Sequence, residues 1–174
     1  MSGGGGEEGG IDNETTEVVD VVPFATIVGN GRIGDALAKA GNCLVLGRND
    51  KIDPTGAGPI YLATRNDALE VIIDECPTNR QKDLVFLQNG YLNSLLEQKN
   101  LTTNTQILLY LSVASKGITP TDGVTTYNPE GLTTACGEWA TNFQQRLAAL
   151  ELKCNVVSSC LLYTSDAADE RLGV

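Results

Sequence analysis

The sequence predicts an α/β fold of the doubly wound type, in which helices cover both faces of a mostly parallel sheet. Two observations support this prediction. Short apolar, β-branched runs alternate with helical patterns from Phe24 onward, and a glycine-rich loop lies between the first such run and the first helix. Strands that alternate with helices are joined by βαβ crossovers, and such crossovers connect parallel strands.

The predicted elements follow one another from residue 24 to residue 152. Strands are predicted at residues 24–28, 43–46, 59–63, 84–87 and 107–113, and helices at residues 33–40, 67–75, 91–98 and 138–152. Asn66 is predicted to cap the second helix, and Pro77 to end it. Residues 119–135 are rich in Thr and Gly, so we expect a β-hairpin or irregular strands there.

Charge divides the chain into a middle and two ends. The 174 residues carry a formal net charge of −10, yet residues 23–159 hold 13 acidic and 11 basic residues and are nearly neutral. Residues 1–22 hold six acidic residues, no basic residue and a Gly/Glu run, which predicts a disordered leader. Residues 23–159 are predicted to form one folded domain.

The last fifteen residues differ from the rest of the chain. Residues 160–170, CLLYTSDAADE, resemble a translated transposase mosaic end joined to a sequencing-library adapter. A segment of that origin is foreign to the fold, so we expect residues 160–174 to be a non-native, disordered tail. The natural protein is then expected to continue past Ser159, and this chain to be its N-terminal part.

Composition argues against several classes of protein. The nearly neutral middle lacks the basic surface that nucleic-acid binding requires, and no apolar run is long enough to span a membrane. The N-terminus has no secretion or transit signal, so a cytoplasmic location is expected. The chain has no histidine, and its five cysteines form no CxxC pair, so we expect no metal site and buried, free thiols.

A GxGxxG motif occupies residues 29–34, GNGRIG, between the first predicted strand and the first predicted helix. This context is typical of a Rossmann-type dinucleotide-binding loop. Gly29 would permit the tight turn, Gly31 the approach of a pyrophosphate, and Gly34 the close packing of helix on strand. The other cofactor-binding candidates in this loop are Asn30, Arg32 and Ile33. The alternative is a glycine-rich turn that binds nothing.

The end of the second predicted strand indicates which cofactor is preferred. A site selective for NAD places an acidic residue there, to bind the ribose hydroxyls of adenosine. Here Arg48 follows Gly47, and its planar donors suit the 2′-phosphate of NADP. Asp50 is predicted to lie past the turn. We therefore expect NADP(H), although an arginine exposed to solvent would also fit the pattern.

The fourth predicted strand runs into residues 87–90, LQNG. An Asn-Gly pair is most often a turn, but ligands of open α/β sheets bind beside the loops at the carboxyl ends of the strands. Asn89 is therefore a candidate for binding a ribose hydroxyl and an oxygenated substrate. The glycine motif, the arginine after the second strand and LQNG, in this order, resemble the N-terminal domain of the ketopantoate reductase family over residues 24–157.

The resemblance implies an NADPH-dependent reductase that converts a small 2-oxo acid to a 2-hydroxy acid. It places Asn89 near the nicotinamide ribose and the substrate, and it places the proton-donating lysine and the substrate-binding acid in a helical domain after the Rossmann domain. That domain would begin where residues 160–170 interrupt the chain. We therefore assign no catalytic residue here, and we expect this chain to bind the cofactor without turnover.

Two departures from the family keep other functions open: the first predicted helix is unusually short, and one family lysine is absent. The lysine that the family has after the third strand is missing, and Thr64 and Arg65 are the nearest residues. Lys116, near the end of the fifth predicted strand, is more typical of a solvated lysine than of a catalytic one. A non-catalytic dinucleotide-binding module that senses redox state or scaffolds a partner is the main alternative. A related dehydrogenase of the 6-phosphogluconate or hydroxyacid type is another, but it would not predict LQNG. The sequence does not indicate an oligomeric state.

Overall fold

The structure, a computed structural model, describes residues 21–87, 92–118, 120–122, 126–127, 129 and 131–158. Three predictions fall wholly or largely on other parts of the chain: the acidic leader up to residue 20, the tail at residues 160–174, and Asn89. They lie outside the described residues.

The described residues contain nine strands and four α-helices. In chain order the strands are β1 (Ala25–Val28), β2 (Cys43–Leu46), β3 (Ile60–Leu62), β4 (Leu84–Phe86), β5 (Gln106–Leu108), β6 (Leu111–Ser112), β7 (Thr121–Asp122), β8 (Thr134–Cys136) and β9 (Asn155–Val157). The helices are α1 (Arg32–Ala38), α2 (Leu69–Glu75), α3 (Asn93–Gln98) and α4 (Ala140–Ala149), and 3-10 turns occupy Asn66–Ala68 and Thr78–Asp83.

Seven of these strands form one sheet, in the order β2-β1-β3-β4-β5-β8-β9, and β6 pairs with β7 in a separate two-stranded sheet. All neighbours in the large sheet are parallel except β5 and β8, which are antiparallel. The mostly parallel sheet predicted from the sequence is confirmed. Its first five strands have the 2-1-3-4-5 order of a doubly wound fold.

Each face of the sheet is covered by its own helices. Side chains alternate between the faces along a strand, so Ile27 of β1 and Tyr61 of β3 pack with Leu37 of α1 and Phe143 of α4. The opposite face packs against α2 and α3, through Val28, Leu62, Phe86, Leu69, Ile73 and Leu96. The prediction of helices on both faces is therefore confirmed.

The structure corrects two of the predicted elements. The fifth predicted strand is interrupted after Leu108, because the Tyr110 amide donates to Thr133 Oγ1 (3.0 Å) and the chain turns out of the large sheet before β6. Asn66 caps no α-helix: it begins a 3-10 turn and makes no side-chain cap hydrogen bond. The backbone closes that turn itself, with the Ala68 amide donating to the Arg65 carbonyl oxygen at 3.1 Å.

The expectation of free thiols holds for only part of the cysteines. Cys43, Cys76 and Cys154 are free, and the last two are buried. Cys136 is disulfide-bonded, so the expectation of a free thiol is wrong for this residue. In the part of the chain that the structure describes, no helix is both long and apolar enough to cross a membrane.

Candidate functional site

A cleft of about 920 Å³ opens at the carboxyl ends of β1, β2 and β3. It is lined by residues 28–33 after β1, residues 46–48 and 50–52 after β2, residues 63–65 after β3, and the α2 side at Asp67, Ala68, Val71, Ile72 and Glu75. In the sheet β1 lies between β2 and β3, and the helices that follow β1 and β3 pack on opposite faces. The loops diverge at such a switch point and leave a crevice, which is where ligands of doubly wound sheets bind.

The packing of the loop itself requires two of the three motif glycines. Gly29 has a φ of +110°, and a Cβ on it would collide with the carbonyl oxygen of Ala63. A Cβ on Gly34 would collide with the carbonyl oxygen of Gly29, because α1 begins directly against the loop. Any side chain at either position would push α1 and β3 away from β1.

Gly31 is different, because nothing in its surroundings requires a glycine. Its φ of −80° is accessible to any residue, and a Cβ on it would have no described atom within 4 Å. The residue is exposed and lines the cleft. The missing side chain therefore leaves open space in the cleft, where a ligand could approach the backbone closely.

The side chains of the other loop residues, Asn30, Arg32 and Ile33, have three different environments. Ile33 packs against the core under α1. Arg32 donates from Nη1 to the carbonyl oxygens of Val113 (3.2 Å) and Ala114 (3.3 Å), while Asn30 is exposed at the mouth of the cleft. What Arg32 and Ile33 present to the cleft is therefore mainly backbone.

Residues 113–117 lie against the side of α1 that carries Arg32, Asp35 and Lys39. Besides the Arg32 contacts, Asp35 Oδ2 accepts from the Gly117 amide at 3.0 Å, and Lys39 Nζ donates to the Gly117 carbonyl oxygen at 3.0 Å. Lys116 is exposed in this segment and does not line the cleft. The structure thus places Lys116 in a segment beside α1 and outside the residues that line the cleft.

The turn after β2 presents two charged side chains of opposite sign. Arg48 and Asp50 are both exposed and both line the cleft. Asp50 Oδ2 accepts a hydrogen bond from the Gly47 amide at 2.7 Å, which returns the carboxylate to the end of β2. Sequence analysis missed this position for Asp50. The order of residue types gave no signal for it, because four-residue turns favour Asp at the first position and Gly at the last, the reverse of this arrangement.

Apolar walls and two ion pairs complete the cleft. Val28, Leu46, Ile52 and Ile72 supply apolar surface. Lys51 Nζ pairs with Glu75 Oε1 at 3.0 Å, and Arg65 Nε pairs with Asp67 Oδ1 at 3.5 Å. Thr64 and Arg65, the residues nearest to the missing family lysine, both line the cleft. Apolar walls with a small number of polar and charged groups are typical of small-molecule binding sites.

Comparison with known proteins identifies the fold. No protein-family model matches the sequence, and no curated protein matches it. A ketopantoate reductase of the PanE/ApbA family from Ralstonia eutropha superposes with a TM-score of 0.52 and 14% identity, over 79% of this chain and 57% of that protein.

Two dehydrogenases superpose about equally well. D-mandelate dehydrogenase, in a ternary structure with NADH and anilino(oxo)acetate, has a TM-score of 0.54 and 14% identity, over 81% of this chain and 58% of its own. Synechocystis arogenate dehydrogenase has a TM-score of 0.53 and 13% identity, over 78% of this chain and 60% of its own. The fold is thus Rossmann-like, as in these dehydrogenases, and the chain spans less than two thirds of each neighbour.

Proposed function

We propose that this chain is the NADP(H)-binding domain of a reductase that acts on a small 2-oxo acid. The observation that carries the proposal is the open space at Gly31, in a cleft at the switch point of a Rossmann-like sheet. A glycine that the fold does not need, placed where ligands of such sheets bind, fits a pyrophosphate lying against the loop backbone.

Arg48 supports a preference for NADP(H). Its guanidinium has no hydrogen bond or ion pair with any residue that the structure describes, and it faces the cleft beside the end of β2. A guanidinium can donate two parallel hydrogen bonds to a phosphate. In the proposed complex the adenine lies between the apolar walls near Ile52 and Ile72, and Arg48 binds the 2′-phosphate.

The proposed reaction class follows from the resemblance and from the neighbours. The family resemblance implies reduction of a 2-oxo acid, and ketopantoate reductases are among the structural neighbours. When bound, the nicotinamide would supply a hydride to the substrate carbonyl. This chain's own residues would bind and orient the dinucleotide, and Asn89 remains the proposed contact to the nicotinamide ribose and the substrate.

A non-catalytic dinucleotide-binding module is the second candidate, and the absence of the family's lysine after β3 and of any histidine favours it. Reduction of a carbonyl needs a positioned acid to protonate the developing alkoxide. Among the described lining residues, Lys51 is paired with Glu75, and arginine is too weak an acid. Lys116 does not line the cleft.

Titration of the chain with NADPH, followed by nucleotide fluorescence, tests the proposal. We expect saturable binding with one site per chain, and we expect Arg48→Ala to weaken NADPH by about tenfold or more. Arg65→Ala is the matched control, because it removes an exposed cleft arginine that already has a carboxylate partner. The absence of saturable binding by the parent chain would contradict the proposal.

A further inference from the structure

The turn after β2 is closed by two hydrogen bonds between the same two residues. The Asp50 amide donates to the Gly47 carbonyl oxygen at 3.2 Å, and the Gly47 amide donates to Asp50 Oδ2 at 2.7 Å. Because Leu46 immediately before the turn is buried in the sheet, this pair of bonds fixes the Asp50 carboxylate relative to the end of β2. Its other oxygen accepts no hydrogen bond from the described residues.

The turn presents Arg48 and Asp50 to the same cleft without joining them. No ion pair links the two side chains, although they are only two residues apart. Asn30 approaches the turn from the glycine loop: a Cβ on Gly47 would lie 3.7 Å from Asp50 Oδ2 and 3.9 Å from Asn30 Nδ2. The carboxylate and the guanidinium are therefore both available at the point where the glycine loop meets the end of β2.

We propose that Asp50 is a specificity-determining residue, which accepts hydrogen bonds from the ribose hydroxyls of an adenosine that has no 2′-phosphate. The cleft would then bind NAD(H) as well as NADP(H). Asp50 would accept from the ribose hydroxyls of NAD(H), and Arg48 would donate to the 2′-phosphate of NADP(H). This inference rests on the proposed function. It differs from the expectation drawn from Arg48 alone, which favours NADP(H) over NAD(H).

The two charges have opposite effects on the two cofactors. A 2′-phosphate gains charge-assisted hydrogen bonds from Arg48 but is repelled by the nearby carboxylate of Asp50. A free 2′-hydroxyl donates to the carboxylate and gains little from the guanidinium. The affinities for NADH and NADPH should therefore differ by no more than about tenfold in the parent chain.

The variant Asp50→Asn distinguishes the effect of the carboxylate charge from the effect of the turn geometry. The Asn Oδ1 atom can still accept from the Gly47 amide, so the turn is retained while the negative charge is removed. The matched control is Asp53→Asn. Asp53 is exposed, its Oδ1 accepts from the Thr55 amide at 2.8 Å at the start of a turn, and it does not line the cleft.

Dissociation constants for NADH and NADPH, measured by calorimetry on the parent and both variants, decide the matter. We expect Asp50→Asn to weaken NADH by about tenfold while NADPH binds equally or more tightly, and we expect Asp53→Asn to change neither. If the parent binds NADPH at least a hundredfold more tightly than NADH, or if Asp50→Asn shifts both cofactors equally, Asp50 does not read the ribose and the proposed function still stands. If the parent binds neither dinucleotide, both proposals fail.

Discussion

Arg146 of α4 reaches the end of α1, where its Nη1 donates to the carbonyl oxygen of Leu37 at 3.0 Å. The same guanidinium bonds the carbonyl oxygens of Gly41 (2.9 Å), Pro23 (3.1 Å) and Asn42 (3.1 Å), and the side chain is fully buried. These carbonyls belong to the end of α1 and the starts of β1 and β2. Arg146 thus ties together the segments whose other ends form the cleft.

Loss of Arg146 should destabilise the fold strongly. Arg146→Met keeps much of the side-chain volume but leaves four carbonyl oxygens without this donor, so we expect the free energy of unfolding to fall by about 3–5 kcal/mol. Urea denaturation measures the change. Arg65→Met, at an exposed arginine, should stay within about 0.5 kcal/mol of the parent. A similarly small change for Arg146→Met would contradict the structural role given to this residue.

Gly34 should tolerate no side chain, in contrast to Gly31. Because a Cβ on Gly34 would collide with the Gly29 carbonyl oxygen, Gly34→Ala should cost about 2 kcal/mol or more of unfolding free energy. Gly31→Ala meets no described atom within 4 Å and should leave stability within about 0.5 kcal/mol of the parent. Thermal or urea unfolding of the two variants compares them directly. Equal losses would show that the loop is not packed as described.

Arg32 should matter more for the neighbouring segment than for the cofactor. Arg32→Ala removes the hydrogen bonds to the Val113 and Ala114 carbonyl oxygens, so residues 113–117 should exchange their amide hydrogens faster. NADPH affinity should fall by no more than about threefold, since this side chain is already bonded to protein. Hydrogen exchange and calorimetry on one sample test both effects. A large loss of affinity with unchanged exchange would mean that Arg32 leaves these carbonyls to bind phosphate.

Ionisation of the buried thiols should lower the free energy of unfolding at alkaline pH. Burial raises the pKa of Cys154 to about 12 and that of Cys76 to about 11, from an ordinary value of 9.0. The folded state therefore favours the protonated thiols, and their contribution is complete below about pH 9 and is lost as the pH rises through 11–12. In native protein at pH 8.5 we expect an alkylating reagent to label Cys43 before Cys76 and Cys154. Early labelling of Cys154 would contradict its burial.

Alternating apolar runs and helical patterns were enough to predict the order of the elements and the two covered faces. The apolar run at residues 43–46 forms β2 with the predicted boundaries. It pairs directly with β1, the strand that precedes it in the sequence. The break after Leu108 was not predictable from the run at residues 107–113. It depends on a hydrogen bond between Tyr110 and Thr133, which are 23 residues apart.

The site was predictable where chemistry depends on local spacing. The motif spacing placed Gly29, Gly31 and Gly34 in the loop after β1, but it did not show that the fold itself requires only the outer two. The position of Asp50 depends on a side chain folding back onto Gly47, and Arg146 acts on carbonyls more than 100 residues away in sequence. Neither relationship has a signature in the order of residue types.

Calorimetric titration of Gly31→Val with NADPH tests the central claim most directly. A valine there would fill the space that the pyrophosphate is proposed to occupy, yet it would touch no described atom of the fold at its Cβ. We expect the variant to unfold at a urea concentration close to that of the parent and to show no measurable NADPH binding, while Gly31→Ala shows an intermediate loss. Parent-like affinity in folded Gly31→Val would contradict dinucleotide binding at this loop.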